Sequence, residues 1–231
     1  LKANFLVQAR FLVSSFEERD GMACWSYPFE NTYFGVEPGW ISGIGQSHIA
    51  GVLLRAWSLT GEPHFRDVAM KALEPYFRPM ASGGVVTDDE RGFWVQEVAS
   101  PEAKVFCILN GHITGILGLL DIATITGDDT LLALFHRGVT TVRDHLSQFD
   151  AGFSSFYSLE VRDGDLPKIA PRGGYNAIHA WQLEQLFEIT GDLAFKHMAD
   201  RFRRYEETND ARIAKGSTNP LTHGPAEAAG W

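Results

Sequence analysis

The stretch Leu53–Leu73, "LLRAWSLTGEPHFRDVAMKAL", passes from an apolar helix pattern through Thr60-Gly61-Glu62 into an amphipathic one. Glycine accepts the left-handed conformation that ends a helix, and an acidic residue suits the N-terminus of the next. The stretch therefore reads as two antiparallel helices joined by a tight turn. The pattern recurs at Leu119, "LLDIATITGDDTLLALFHRGV", and at Leu183, "LEQLFEITGDLAFKHMADRF". The turn glycines Gly61, Gly127 and Gly191 stand 66 and 64 residues apart, which marks an internal repeat of helical hairpins.

A further helix is predicted for the opening text "LKANFLVQARFLVSSF", which brings the expected total to about seven, with no comparable run of alternating strands. The first helix of each hairpin is almost wholly apolar and the second carries charge. The first should therefore line the inside and the second face solvent. The predicted fold class is all-α, an incomplete α/α barrel (toroid) of helical hairpins with short β-hairpins in long loops at one end. A toroid domain is predicted over residues 1–207, followed by an irregular tail over 208–231 that lacks an amphipathic period.

Composition sets outer limits on function. With 231 residues, 45% hydrophobic and 21% charged, the chain reads as a globular protein with a sizeable core. A net charge of -9 argues against general nucleic-acid binding, which needs a surplus of Lys and Arg. No apolar run approaches the roughly 20 residues of a membrane span, and no signal peptide opens the chain. Because the text starts on Leu1 in mid-pattern, a processed product or fragment is expected, and no compartment is indicated. Cys24 and Cys107 are too few for a disulfide scaffold and read as buried thiols, one bridge being the alternative.

Three segments between the hairpins, Gly21 to Gly39, Met80 to Glu102 and Asp150 to Gly174, are rich in Gly, Pro, aromatics and charge. Connections this long usually carry function or small structure of their own. "VVTDDERGFWV" and "FSSFYSLEVRDGDLPKIA" show strand-like runs around turn residues. Since the Thr-Gly turns occupy one end of the bundle, the long segments must gather at the other.

Gln46, Asn110 and Tyr175 lie at similar distances before their turn glycines, so each inner helix offers a polar side chain at one level. Tyr175, His179 and Gln182 follow at i, i+4 and i+7 on one stripe. The loops add Glu37, Trp40, Trp94, Glu97, Tyr157, Lys168 and Arg172. Aromatic faces with carboxylates, amides and phenols are materials of a sugar site. No phosphate-cradling loop, zinc-ligand spacing or nucleophile elbow is present, so neither metal nor cofactor is expected.

Taken in order, "VEPGWISGIGQ", "LLRAW", "GFWVQEVASP", "ILNGHITGILGLLD", "SSFYSL" and "GYNAIHAWQL" resemble the C-terminal domain of D-glucuronyl C5-epimerase, from about Gly21 to Glu207. The resemblance implies an incomplete α/α barrel and inversion at C5 of a uronic-acid residue in an acidic polysaccharide of the heparan or heparosan type. It implies acid/base roles for Tyr157, Tyr175 and Glu97. Gln46, Asn110, Arg172, His179, Gln182, Trp40, Trp94 and Glu37 are then expected to contact substrate. Val98 stands where the family has tyrosine, Glu160 where it has arginine, and Asn176 where it has histidine. A tyrosine serves as acid or base when a neighbouring cation or hydrogen-bond donor lowers its pKa. Two rivals follow: a polysaccharide lyase, in which the same carbanion expels the C4 oxygen, and a non-catalytic glycan-binding module. Association as a homodimer is left open.

Overall fold

The computed structural model describes residues 2–159, 169–170 and 174–214, with residues 209–214 given as backbone. Seven α-helices and two small β-hairpins are found among them. In order they are α1 (Lys2–Ser15), β1 (Glu17–Arg19), β2 (Met22–Cys24), α2 (Gly43–Thr60), α3 (Pro63–Leu73), β3 (Val86–Asp89), β4 (Gly92–Val95), α4 (Leu109–Thr126), α5 (Asp129–His145), α6 (Tyr175–Thr190) and α7 (Leu193–Ala214). Helix α7 thus continues past residue 207. No helix among the described residues is long and apolar enough to cross a membrane.

The repeat governs the architecture. Helices α2, α4 and α6 stand side by side as an inner row, and α3, α5 and α7 back them one to one. Helix α1 covers the free side of α2 and α3. The arrangement is an incomplete α/α barrel, as the sequence predicts. The core runs between the rows through Leu53, Leu54, Phe65, Ile116, Leu119, Phe135, Leu183, Leu186 and Phe202. The two cysteines are free and buried.

Each hairpin turn is built by the same atoms. Gly61, Gly127 and Gly191 hold φ of 74°, 71° and 73°, and their amides reach back to Trp57, Ala123 and Phe187. The preceding threonine, Thr60, Thr126 or Thr190, donates to the carbonyl four residues back and accepts the amide two residues on. One hydroxyl thus satisfies an acceptor of the ending helix and a donor of the next. Asp128 and Asp192 then cap the helices that follow.

The predicted hairpin at "VVTDDERGFWV" is β3–β4, paired antiparallel with Val86 opposite Val95. The hairpin expected around Gly21 to Gly39 is β1–β2, with its first strand lying upstream of that segment. Its Asp20-Gly21 turn has φ of 49° and 83°, the positive pair that a two-residue hairpin turn of this type requires. In "FSSFYSLEVRDGDLPKIA" the described part forms isolated bridges, Ile108 to Ser158 and Phe156 to Ile169.

Candidate active site

The inner helices all begin at the end opposite the Thr-Gly turns, and the long connections collect over their first turns. After β4 the chain crosses the start of α2, where Gly43 N–H donates to Gln96 O at 3.0 Å and Ile41 and Ala99 exchange hydrogen bonds of 3.0 and 2.8 Å. Residues 155–159 lie against the start of α4, with Leu109 N–H on Tyr157 O and Leu159 N–H on Cys107 O, both at 3.1 Å. On their other side Ala170 N–H donates to Ser155 O at 2.8 Å, and Tyr175 opens α6. These backbone ties bring Glu97, Tyr157 and Tyr175 together from three segments.

The Tyr157 hydroxyl donates to Glu97 Oε2 in a long hydrogen bond of 3.4 Å. The Tyr157 and Tyr175 rings meet edge to face, 5.4 Å between centroids and 81° between planes. Burial raises the Glu97 carboxyl above the ordinary value of 4.5, and the Tyr157 hydroxyl partly offsets this. Tyr157, only 8% exposed, is pushed well above the usual phenol range, first by burial and then by the Glu97 charge. Tyr175 is raised by the same two causes in the same order. The cation-lowered tyrosine expected from sequence is therefore not what the described surroundings create. Both phenols are proton holders at neutral pH, and Glu97 holds its proton more firmly than an ordinary glutamate.

Room for the carboxylate comes from α4. A Cβ built on Gly111 falls 2.7 Å from Glu97 Oε2 and 3.0 Å from its Cβ. The Gly in "ILNG" is a missing side chain that Glu97 occupies.

Beneath this cluster lies a layer of neutral polar groups. Asn176 Oδ1 accepts from Ser155 N–H at 2.8 Å, Ser155 Oγ at 2.9 Å and Ser154 Oγ at 3.2 Å. With the Ser155 proton on Asn176, Ser155 Oγ accepts from His179 Nδ1 at 2.7 Å. Burial depresses His179 to about 3, so it stays neutral. Gln182 Nε2 donates to Asn110 O at 3.0 Å and to Thr114 Oγ1 at 2.8 Å. Among the described residues His179 Nε2, Gln182 Oε1 and Asn110 Oδ1 are buried without hydrogen-bond partners. Buried polar atoms are normally satisfied, so this layer has capacity for water or ligand.

Several expected substrate contacts are placed elsewhere. Gln46, 1% exposed, spends its amide on Ala23 O, Ala72 O and Trp25 N–H, tying α2 to β2 and the end of α3. Trp94, 1% exposed, packs on His112, His145 and Phe149 with its indole N–H on Arg91 O. Trp40 stacks on Tyr27 at 4.0 Å and donates to Phe29 O. The helical period that predicted Gln46 reports depth in the bundle and not the partner found there. Glu37 is exposed on the loop, and Val98 is buried. Glu160, Lys168 and Arg172 lie outside the described residues.

Two contributors were not expected. His112 accepts from Val95 N–H at Nδ1 and meets Gly138 O at Nε2, bridging β4, α4 and α5; burial depresses it to about 4. Tyr33 is one of the acidic groups that raise Tyr157. Its segment has no helical or alternating period, and the only available signal was the local density of aromatics in "YPFENTYFGV".

Residues 19–204 match the family model of the D-glucuronyl C5-epimerase C-terminus. A D-glucuronyl C5-epimerase of Caenorhabditis elegans is 28% identical over 218 residues, covering 87% of this chain and 34% of its own length. An uncharacterised protein of Methanocaldococcus jannaschii is 27% identical over 172 residues, covering 73% and 53%. The chain thus spans a third to a half of these curated relatives. Among solved structures, the unsaturated glucuronyl hydrolase of Bacillus sp. GL1 superposes with a TM-score of 0.56 at 18% identity, over 88% of this chain and 54% of that one. Cellobiose 2-epimerase of Spirochaeta thermophila gives 0.57 at 13%, over 87% and 52%. Likeness at such identities establishes the fold alone, an α/α toroid of which this chain supplies about half.

Proposed function

Since the chain belongs to the D-glucuronyl C5-epimerase C-terminal family, we propose that it inverts C5 of a uronic-acid residue, glucuronate to iduronate, within an acidic polysaccharide. The observation that carries the proposal is Glu97, a carboxyl raised by burial, touched by one phenol and neighboured by a second. A base whose pKa moves toward working pH is a stronger proton acceptor, and a phenol held in the neutral form still carries a proton for a carbanion far more basic than itself.

In this reading the Glu97 carboxylate removes the C5 proton, and the electron pair passes into the substrate carboxylate as an enediolate. The less buried phenol, Tyr175, gives its proton to C5 from the opposite face and becomes a tyrosinate. Solvent returns a proton to Tyr175 as Glu97 releases the one it took, which restores the resting state. Tyr157 stays protonated throughout and holds Glu97 in place. His179, being neutral, serves as a hydrogen-bonding group and not as a counter-charge to the uronate.

The lyase reading retains one support. Glu97, Tyr157 and Tyr175 form a single contiguous cluster, and elimination needs a base on one face only. Incubation with glucuronate-containing glycans in deuterated water, followed by NMR at C5, separates the readings. Deuterium at C5 is the expected result, and an unsaturated uronate product supports elimination. A glycan bound and left unchanged assigns the chain to the binding modules and overturns the enzyme reading.

A further inference from the structure

Tyr157 and Tyr175 reach one another from separate elements, the first from the segment after α5 and the second as the opening residue of α6. Their contact needs something that holds segment to helix. Gly174 gives α6 no side-chain cap, and Asn176 in its first turn reaches across to the segment instead. Its Oδ1 accepts from the Ser155 N–H at 2.8 Å, the Ser155 hydroxyl at 2.9 Å and the Ser154 hydroxyl at 3.2 Å, and all three residues are buried. Tyr175 directly precedes Asn176, and Tyr157 stands two residues beyond Ser155.

The protons in this group can be assigned from its fixed member. A backbone N–H only donates, so the Asn176 atom that meets it is the amide oxygen. An amide oxygen only accepts, so the Ser155 hydroxyl spends its proton there. The 2.7 Å contact between Ser155 Oγ and His179 Nδ1 is then donated by the ring. Neutral His179 therefore carries its proton on Nδ1, and its Nε2 is left as a bare acceptor. One oxygen thus ties the chain beside Tyr157 to the helix turn that carries Tyr175, and it fixes the histidine tautomer one turn further along α6.

We infer that Asn176 is the positioning residue of the cluster, holding Tyr157 and Tyr175 edge to face through the hydrogen bonds that its Oδ1 accepts from Ser154 and Ser155. The inference rests on the acid/base reading above for the purpose of that contact, while the contact itself can be measured without substrate.

Asn176→Ala removes the shared acceptor. The expected result is kcat lowered by about 10- to 100-fold with KM within about twofold, the cost of a misplaced reacting group. With ring-labelled tyrosine, the NMR cross-peak between the Tyr157 and Tyr175 rings should be present in the wild type and lost in Asn176→Ala. It should persist in Asn176→Asp, whose carboxyl still accepts from all three donors. A residue that merely stabilises the fold would lower the melting point and leave the cross-peak in place. If Asn176→Ala does not fold, Asn176→Ser breaks the same tie, because its shorter hydroxyl leaves room for a water to pair with the Ser155 amide. With labelled histidine, the ring nitrogens of wild-type His179 should report a proton on Nδ1. A cross-peak undiminished in the alanine or serine variant, or a wild-type His179 protonated on Nε2, overturns the inference. Absence of turnover on any uronate glycan, with the cross-peak present in the wild type and lost in the variant, overturns the epimerase reading and leaves the positioning role standing.

Discussion

Glu97 occupies the space that a side chain at position 111 would fill, so the carboxylate and helix α4 fit only while that position is glycine. Gly111→Ala is expected to displace the carboxylate and lower kcat by about 10- to 100-fold, since small misplacements of a reacting group cost that much. Circular dichroism should show helicity unchanged; an alanine variant of full activity would remove Glu97 from the reacting position. The pH dependence follows from the raised pKa. In the proposed mechanism activity requires ionised Glu97, so the acid limb of the rate profile should lie above pH 4.5. For stability the sign is reversed: a carboxyl raised in the folded state contributes stability at low pH that is lost as pH rises through the folded pKa. Glu97→Gln should therefore be inactive and melt higher than wild type at pH 8, a trade of stability for function visible in one calorimetric comparison. At this scale the sequence was informative through motif order, which singled out Glu97, Tyr157 and Tyr175. It was silent on His112, whose partners Val95 and Gly138 lie on β4 and α5.

At the scale of elements, legibility was greatest where a local rule repeats. Three Thr-Gly-acidic turns define three hairpins, because the glycine conformation and the threonine's double hydrogen bond are both local. The inside-outside distinction between the rows was equally readable from where charge falls. The 3₁₀ turns Glu74–Phe77 and Leu146–Phe149, which extend α3 and α5, had no such signature. Gln46 shows the limit of periodicity: its level along α2 was readable, but its three backbone partners come from β2, α3 and the segment after β2. Removing that amide leaves buried groups unpaired, each costing about 1–3 kcal/mol. Gln46→Ala should thus destabilise the fold by about 2–4 kcal/mol in urea titration while KM for the folded fraction stays constant. A raised KM with unchanged stability would return Gln46 to the substrate.

For the whole molecule, two buried histidines set the response to acid. His112 and His179 are depressed to about 4 and about 3 from the ordinary 6.5. Their neutral forms contribute stability above pH 6.5 that is lost as pH falls toward the folded values, because the unfolded chain takes up protons the folded chain refuses. The slope approaches about 1.4 kcal/mol per pH unit for each histidine. Urea midpoints measured from pH 7 to pH 5 should therefore fall steeply; a flat series would mean that these rings are charged in the folded protein. The half-ring also leaves apolar side chains at both margins, Val7 and Phe11 on α1 and Ile178 and Trp181 on α6. Direction within the ring matters more for function than its closure. Every inner helix runs from the Glu97–Tyr157–Tyr175 end toward its Thr-Gly turn, so three peptide dipoles point their positive ends at the same place. The outer helices α5 and α7 begin on aspartates, whereas α4 and α6 begin without a side-chain cap. The backbone itself supplies local positive potential beneath the Glu97–Tyr157–Tyr175 cluster. On the proposed function, a chain of net charge -9 would receive an acidic sugar through oriented amides, and a substrate carboxylate gaining charge as C5 loses its proton would be stabilised where that charge grows.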